Sequence, residues 1–197
     1  MIIAIVGSGG KTTLLKTLAK NYRSQGKTVF ATTTTHMFIE DDTLLTDDAD
    51  VIIQALHDKG CVMAGIADGI KFKALSDETY AAVCSHADVV LVEADGSKQM
   101  PLKYPNSTEP VIPENADEII VVYGANALGQ KAKDVCHRLE LVKRCLEIED
   151  DTIMTLSHVE KLIQEGYLKP LREKYPEKKI TVIPRYHNAQ IGGEEHG

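Results

Sequence analysis

Residues 7–13, GSGGKTT, place three glycines, a lysine and two threonines between an apolar run and a segment of helical periodicity. Glycines let successive backbone amides converge on one point, and a helix starting where the turn ends adds positive potential there. A lysine in such a turn reaches the outer oxygens of a bound polyphosphate, and the next hydroxyl binds a magnesium ion bridging them. Gly7, Ser8, Gly9, Gly10, Lys11, Thr12 and Thr13 therefore read as a phosphate cradle, with Lys11 acting on the reacting phosphate and Thr12 on the metal. A purely structural turn would account for the glycines but not for the Lys-Thr-Thr that follows them.

The spacing is unusual. The common pattern GxxxxGK[ST] needs glycine at position 5, where Ile5 stands, so this loop is two residues shorter. It resembles the GxxGKT loop of the Mur-type amide ligases. A dinucleotide fingerprint fits worse, because Gly7 and Gly9 would then require glycine where Thr12 stands.

Ligands of open α/β sheets bind beyond the carboxyl ends of the strands, and two further polar clusters fall at such ends. After the run TVFAT come Thr32 to Thr35 and His36, whose hydroxyls suit a metal or its waters; Thr34, Thr35 and His36 read as substrate-holding residues. After DVVLV come Glu93, Asp95, Gly96 and Ser97. Either carboxylate can complete the magnesium shell or orient an attacking water, and the Gly96 amide can sense the terminal phosphate. The strand is expected to end between Glu93 and Asp95, so the two need not act as one acid/base pair.

The elements that position these residues follow from patterning. Near-continuous Val and Ile at 2–6, 28–32, 61–65, 88–93, 118–123 and 180–184 suits strands buried on both faces. Between the first two, Leu14, Leu15, Leu18, Ala19 and Tyr22 recur at helical spacing and Gly26 offers a stop, making a βαβ unit. A second helix is expected to open at Ser76 and run to Ala87. A third carries Leu139, Val142, Cys145 and Leu146 on one face, and a fourth is expected to open on a capping box of Ser157 with Glu160 and close at Gly166. The segment 101–113 holds four of the seven prolines and is expected to form no regular element, reading as a rigid connecting loop or as a lid or docking surface; Lys98 and Lys103 around it could add charge to bound phosphates, although such lysines are by default solvated. The expected fold class is α/β, a three-layer P-loop NTPase-like arrangement in which a mostly parallel sheet carries helices on both faces. One domain, 1–197, is the expectation for this length.

Composition narrows the partners. Twenty-two Lys and Arg against 29 Asp and Glu give a net charge of -7, and no basic stripe is interleaved with aromatics, which argues against nucleic acid. The longest apolar runs fall far short of the roughly 20 residues of a membrane span, so a cytoplasmic protein is expected. Cys61, Cys84, Cys136 and Cys145 show no metal-ligand spacing and read as free thiols. His57, His86, His137, His158 and His187 are scattered singly and read as surface or internally satisfied histidines.

Taken together, VGSGGKTTLL, TTTTHM, VEADGSKQMPLKYPNSTEPVIP, VVYGANALGQ and CHRLELV resemble the YqeC family, from residue 5 to about residue 142. That resemblance implies a P-loop protein linked to maturation of selenium-dependent molybdenum hydroxylases, with a molybdenum hydroxylase or its cofactor intermediate as partner. It places the family's phosphate loop on Gly7 to Thr13, its threonine motif on Thr32 to His36, its acidic motif on Glu93 to Ser97 and its PLKxP segment on Pro101 to Pro105. The C-terminus departs from the pattern: VIPRYHNAQIGGEEHG lacks an NKxD-like stretch, leaving Asn188 as the nearest contact for a base edge and ATP or GTP both open. The leading reading is magnesium-dependent nucleoside triphosphate binding and hydrolysis. The alternatives are a small-molecule kinase or ATP-dependent amide ligase, and a non-hydrolysing nucleotide-gated binding module.

Overall fold

The computed structural model describes residues 1–186. All six strands expected from the apolar runs are present: β1 (Ile2–Gly7), β2 (Val29–Thr33), β5 (Cys61–Asp68), β7 (Val89–Glu93), β9 (Glu118–Gly124) and β11 (Lys179–Arg185). They pair in parallel in the order β11-β9-β1-β7-β2-β5. Short strands extend the β5 edge. Beyond it, β6 (Lys71–Lys73) and β3 (His36–Phe38) add antiparallel pairs, and β4 (Thr43–Leu45) pairs with β5 in parallel. The chain is thus α/β with a mostly parallel sheet.

Alternation along the strands sends neighbouring residues to opposite faces. Ile3 and Ile5 pack under helix α1 (Lys11–Ser24) against Leu14, Leu15 and Ala19. Ala4 and Val6 face the other way, into a core with Val142, Leu146, Leu162, Ile163, Tyr167 and Leu171. Those residues come from helices α5 (Leu139–Leu146) and α6 (Leu156–Ile163), the π-helical turn Gln164–Leu168 and helix α7 (Lys169–Lys174), and the one-turn helix α4 (Ala132–Val135) adds Ala132 and Val135 to the same core. On that same side, Phe30, Val90 and Val92 pack against Ile52 and Leu56 of helix α2 (Ala49–Lys59) and Val83 of helix α3 (Asp77–Cys84). Helices therefore cover both faces.

Several boundaries differ from the sequence expectation for local reasons. Ser76 does cap α3, accepting from the Thr79 amide, but the helix stops at Cys84 rather than Ala87. The cap of α6 is Thr155, with His158 returning the capping contact, so Ser157 and Glu160 lie inside the helix. Gly166 does not end that helix. A β-carbon there would meet Pro105 and Tyr104 at 3.2–3.3 Å, so glycine serves close packing while the chain continues through the π turn into α7. The proline-rich segment contains a two-residue strand, β8 (Leu102–Lys103), paired in parallel with β10 (Cys136–His137). Among the described residues no helix is long and apolar enough to cross a membrane, and the four cysteines are free.

Candidate functional site

The turn between β1 and α1 is fixed from behind. The Gly7 amide donates to Asp95 Oδ2 at 3.0 Å, the Ser8 amide to the Val122 carbonyl at 2.8 Å, and Ser8 Oγ to the Pro101 carbonyl at 3.0 Å. Gly7 has φ +96° and Gly9 φ +73°; a β-carbon would lie 2.1 Å from the Val122 oxygen at the first and 2.4 Å from the Gly124 nitrogen at the second. Only glycine takes both that backbone conformation and that approach. The amides of Gly9, Gly10, Lys11, Thr12 and Thr13 donate to no protein acceptor among the described residues. Helix α1 has no acidic residue in its first turn and no side-chain cap, so its own sequence leaves the positive end open.

These donors line a cleft of about 990 Å³. In a chain of net charge -7, its lining carries Lys11, Lys71, Lys98 and Arg138 against Glu93 and Glu109. Lys11 is only 3% exposed; its Nζ donates to the Gly7 carbonyl at 2.9 Å and Ser97 Oγ at 3.2 Å, with Asp95 Oδ1 at 3.3 Å and Glu93 Oε1 at 3.8 Å. Both predicted carboxylates thus converge on one ammonium, although β7 ends between them. Thr12 Oγ1 donates to Glu93 Oε2 at 2.7 Å. Burial raises the Glu93 carboxyl above its ordinary range, against the opposing pull of Lys11 and the Thr12 hydrogen bond.

Asp95 differs from Glu93. It is fully buried, and its Oδ2 accepts from Gly7 and from the Tyr167 hydroxyl at 3.1 Å and pairs with Lys103 Nζ at 3.2 Å. Its Oδ1 has no hydrogen-bond partner among the described residues, Lys11 being its nearest charge. Lys103 is not solvated as the sequence reading had it: it is 1% exposed, donates to the Gly96 carbonyl, and pairs with Glu109 Oε2 at 2.6 Å.

The threonine motif divides. Thr32 Oγ1 donates to the Ala64 carbonyl and Thr33 Oγ1 to the Glu93 carbonyl, both buried. Thr34 turns its hydroxyl onto the Val111 carbonyl at 2.7 Å and does not line the cleft. Thr35 and His36 do line it, with His36 Nε2 3.0 Å from Asp68 Oδ2. Thr13 and Gly96 also belong to the lining. Asn188 lies outside the described residues.

Residues 3–140 match the family model described as YqeC protein. The chain belongs to the YqeC family. It is 33% identical over 172 residues to the uncharacterized protein YqeC of Escherichia coli (strain K12), an alignment covering 83% of this chain and 67% of that one. No solved structure matches it. The family match spans every cleft residue from Gly9 to Arg138, so the site is built from the segment that YqeC members share.

Glu109, His137 and Arg138 also line the cleft of this YqeC chain, a role that the sequence alone assigned to none of them. Glu109 Oε2 takes Arg138 Nη1 at 2.5 Å as well as Lys103. Burial alone would raise its carboxyl, but the hydrogen bonds and charges of Arg138 and Lys103 outweigh that and hold it down at about 2. A carboxylate depressed in the folded state contributes stability that is present above its unfolded value, near 4.5, and lost as pH falls through about 2. Glu109→Gln is expected to flatten the acid limb of the stability profile over that window, read by denaturant unfolding at stepped pH. An unchanged limb would show that Glu109 does not carry it.

Proposed function

We propose that this protein binds a nucleoside triphosphate with magnesium at the Gly7–Thr13 loop and catalyses loss or transfer of its terminal phosphoryl group. The observation that carries this reading is the run of five amides, Gly9 to Thr13, with no protein acceptor, opening beside Lys11 into a cleft with more cations than carboxylates. Such a run at a helix start is an anion site whose donors need no rearrangement. The β1–loop–α1 unit, with Glu93 on the adjacent strand β7, supports a P-loop NTPase-like reading of the fold.

The residues present fit magnesium. Thr12 and Glu93 supply the hard oxygens that ion prefers, and they already lie 2.7 Å apart at the foot of the loop. Bound there, magnesium would neutralise charge developing on the phosphate oxygens. Its charge would also favour the ionised form of Glu93, which burial opposes. Lys11 holds the outer phosphates, the loop amides the inner ones, and Glu93 completes the metal shell or orients the attacking water. Asp95, enclosed by Gly7, Tyr167, Lys103 and Lys11, anchors the loop instead. ATP is favoured over GTP by the loop's likeness to the Mur-type ligases. The biological setting we propose, on the family resemblance, is maturation of selenium-dependent molybdenum hydroxylases.

Isothermal titration with ATP and with GTP, each with and without magnesium, tests the reading. One nucleotide is expected to bind with magnesium, and Thr12→Val is expected to weaken the magnesium-dependent part about tenfold, the loss of one ligand hydroxyl. Binding of neither nucleotide overturns it.

A further inference from the structure

Part of the cleft lining does not belong to the phosphate loop. Lys98 and Gln99 come from the β7–β8 connection, Glu109 from the proline-rich segment, and His137 and Arg138 from the junction of β10 with α5. Holding a triphosphate and its magnesium, as described above, uses none of them.

Arg138 sets the chemistry of this stretch. One nitrogen, Nη1, donates to Glu109, while Nε and Nη2 donate to no acceptor among the described residues. The side chain is 22% exposed, so the guanidinium is fixed through one group and keeps donors to offer. A planar fork of N–H donors matches the paired oxygens of a carboxylate or phosphate. Glu109 does not use up that charge, because it is shared with Lys103. His137 stands beside Arg138; burial first, then the charges of Arg138, Lys103 and Lys98, keep its imidazole below the ordinary value, against the weaker opposing pull of Glu109. It is therefore neutral at pH 7 and able to donate or accept one hydrogen bond without adding to the local repulsion.

The backbone points to the same place. Four described non-glycine residues have positive φ, and three of them line the cleft: Lys98 at 47°, Gln99 at 62° and Arg138 at 59°. The fourth, Glu147, caps the far end of α5. Side chains held in left-handed backbone cluster where a ligand is clamped.

We propose that this stretch is a second oxyanion subsite, in which Arg138, with His137 and Lys98 beside it, binds the carboxylate or phosphate group of an acceptor that shares the cleft with the nucleotide. As to the acceptor's role, the proposal rests on the nucleotide reading; as to the binding of an oxyanion, it stands alone. It turns the choice among activities toward phosphoryl transfer or ligation, because water as the acceptor has no need of a second cationic clamp.

Side-chain Nε–Hε resonances of the nitrogen-15-labelled protein, titrated with succinate and separately with inorganic phosphate, test this directly. The Arg138 resonance is expected to shift and saturate in wild type and equally in Lys11→Ala, where the phosphate loop is disabled. The probe that saturates at lower concentration gives the acceptor class. Arg138→Lys, which keeps the charge and loses the fork, is expected to bind that probe about tenfold more weakly or worse. Should that variant fail to fold, the wild-type and Lys11→Ala resonances still decide. An Arg138 resonance that neither probe moves, anion effects confined to the Gly9–Thr13 amides and lost with Lys11, or wild-type affinity in Arg138→Lys would each overturn the subsite. None of these outcomes touches the nucleotide reading, which stands or falls on calorimetry with ATP and GTP.

Discussion

Lys11→Ala is expected to weaken magnesium-nucleotide binding by about 100-fold, the value of two charge-assisted hydrogen bonds, and to lower turnover by a further 10²–10³, roughly the worth of one preorganised donor at a developing charge. Lys11 is the cation of the loop itself, and its Nζ is already oriented by the Gly7 carbonyl and Ser97. The backbone amides survive the substitution, so weak binding persists while the charge that follows the reacting phosphate is lost. The fold is expected to lose less than its function, by about 1–2 kcal/mol. Asp95 retains Lys103, Gly7 and Tyr167, and Glu93, whose carboxyl burial already raises, can take up a proton once Lys11 is gone. Calorimetry with the favoured nucleotide, paired with denaturant unfolding, separates the two effects. Wild-type affinity in a folded Lys11→Ala protein would sink the phosphate-loop assignment.

What sequence could reveal about this site depended on how far apart its partners lie in the chain. The turn between β1 and α1 was legible because Gly7, Lys11 and Thr12 stand within six residues and are flanked by a strand and a helix of clear periodicity. Glu93 was legible as a carboxylate closing an apolar run. The hairpin-like β3–β6 edge was not, since His36–Phe38 is too short to show alternation and Lys71–Lys73 lies far from it in sequence. Helix α2 did carry signals: Asp48 accepts from the amides of Asp50 and Val51, Ile52 and Leu56 share a face, and left-handed Gly60 ends it. Lys103 and Arg138 could not be placed by type, because an isolated lysine or arginine is solvated by default. What makes them exceptions is Glu109, brought to both by the path of the proline-rich segment, and Asp95, which meets Tyr167 from 72 residues away. The family resemblance named the blocks that contain these residues without giving the contacts between them.

Lys103→Met is expected to destabilise the protein by about 3–5 kcal/mol, the cost of removing one partner from a buried ion pair, and so to exceed the stability loss at Lys11 although both lysines serve Asp95. The difference lies in what each leaves behind. Lys103 bridges two carboxylates and the Gly96 carbonyl from a fully buried position, and methionine fills nearly its volume without answering any of the three. Glu109 would keep only Arg138, so its carboxyl would rise from about 2 toward its unfolded value, and the acid loss of stability would span a narrower window and be smaller than in wild type. Combining Lys103→Met with Asp95→Asn should cost less than the sum of the two single substitutions, since the second removes a charge that the first has stranded. The Gly7 amide is anchored on Asp95, so nucleotide affinity should also fall, even though Lys103 contacts no phosphate in the proposed complex. Unfolding midpoints at pH 7, the acid limb and a nucleotide titration on the same variant together decide the matter. A wild-type midpoint would mean that the Asp95–Lys103–Glu109 chain is not what holds the loop, and that Tyr167 and the packing behind it do so alone.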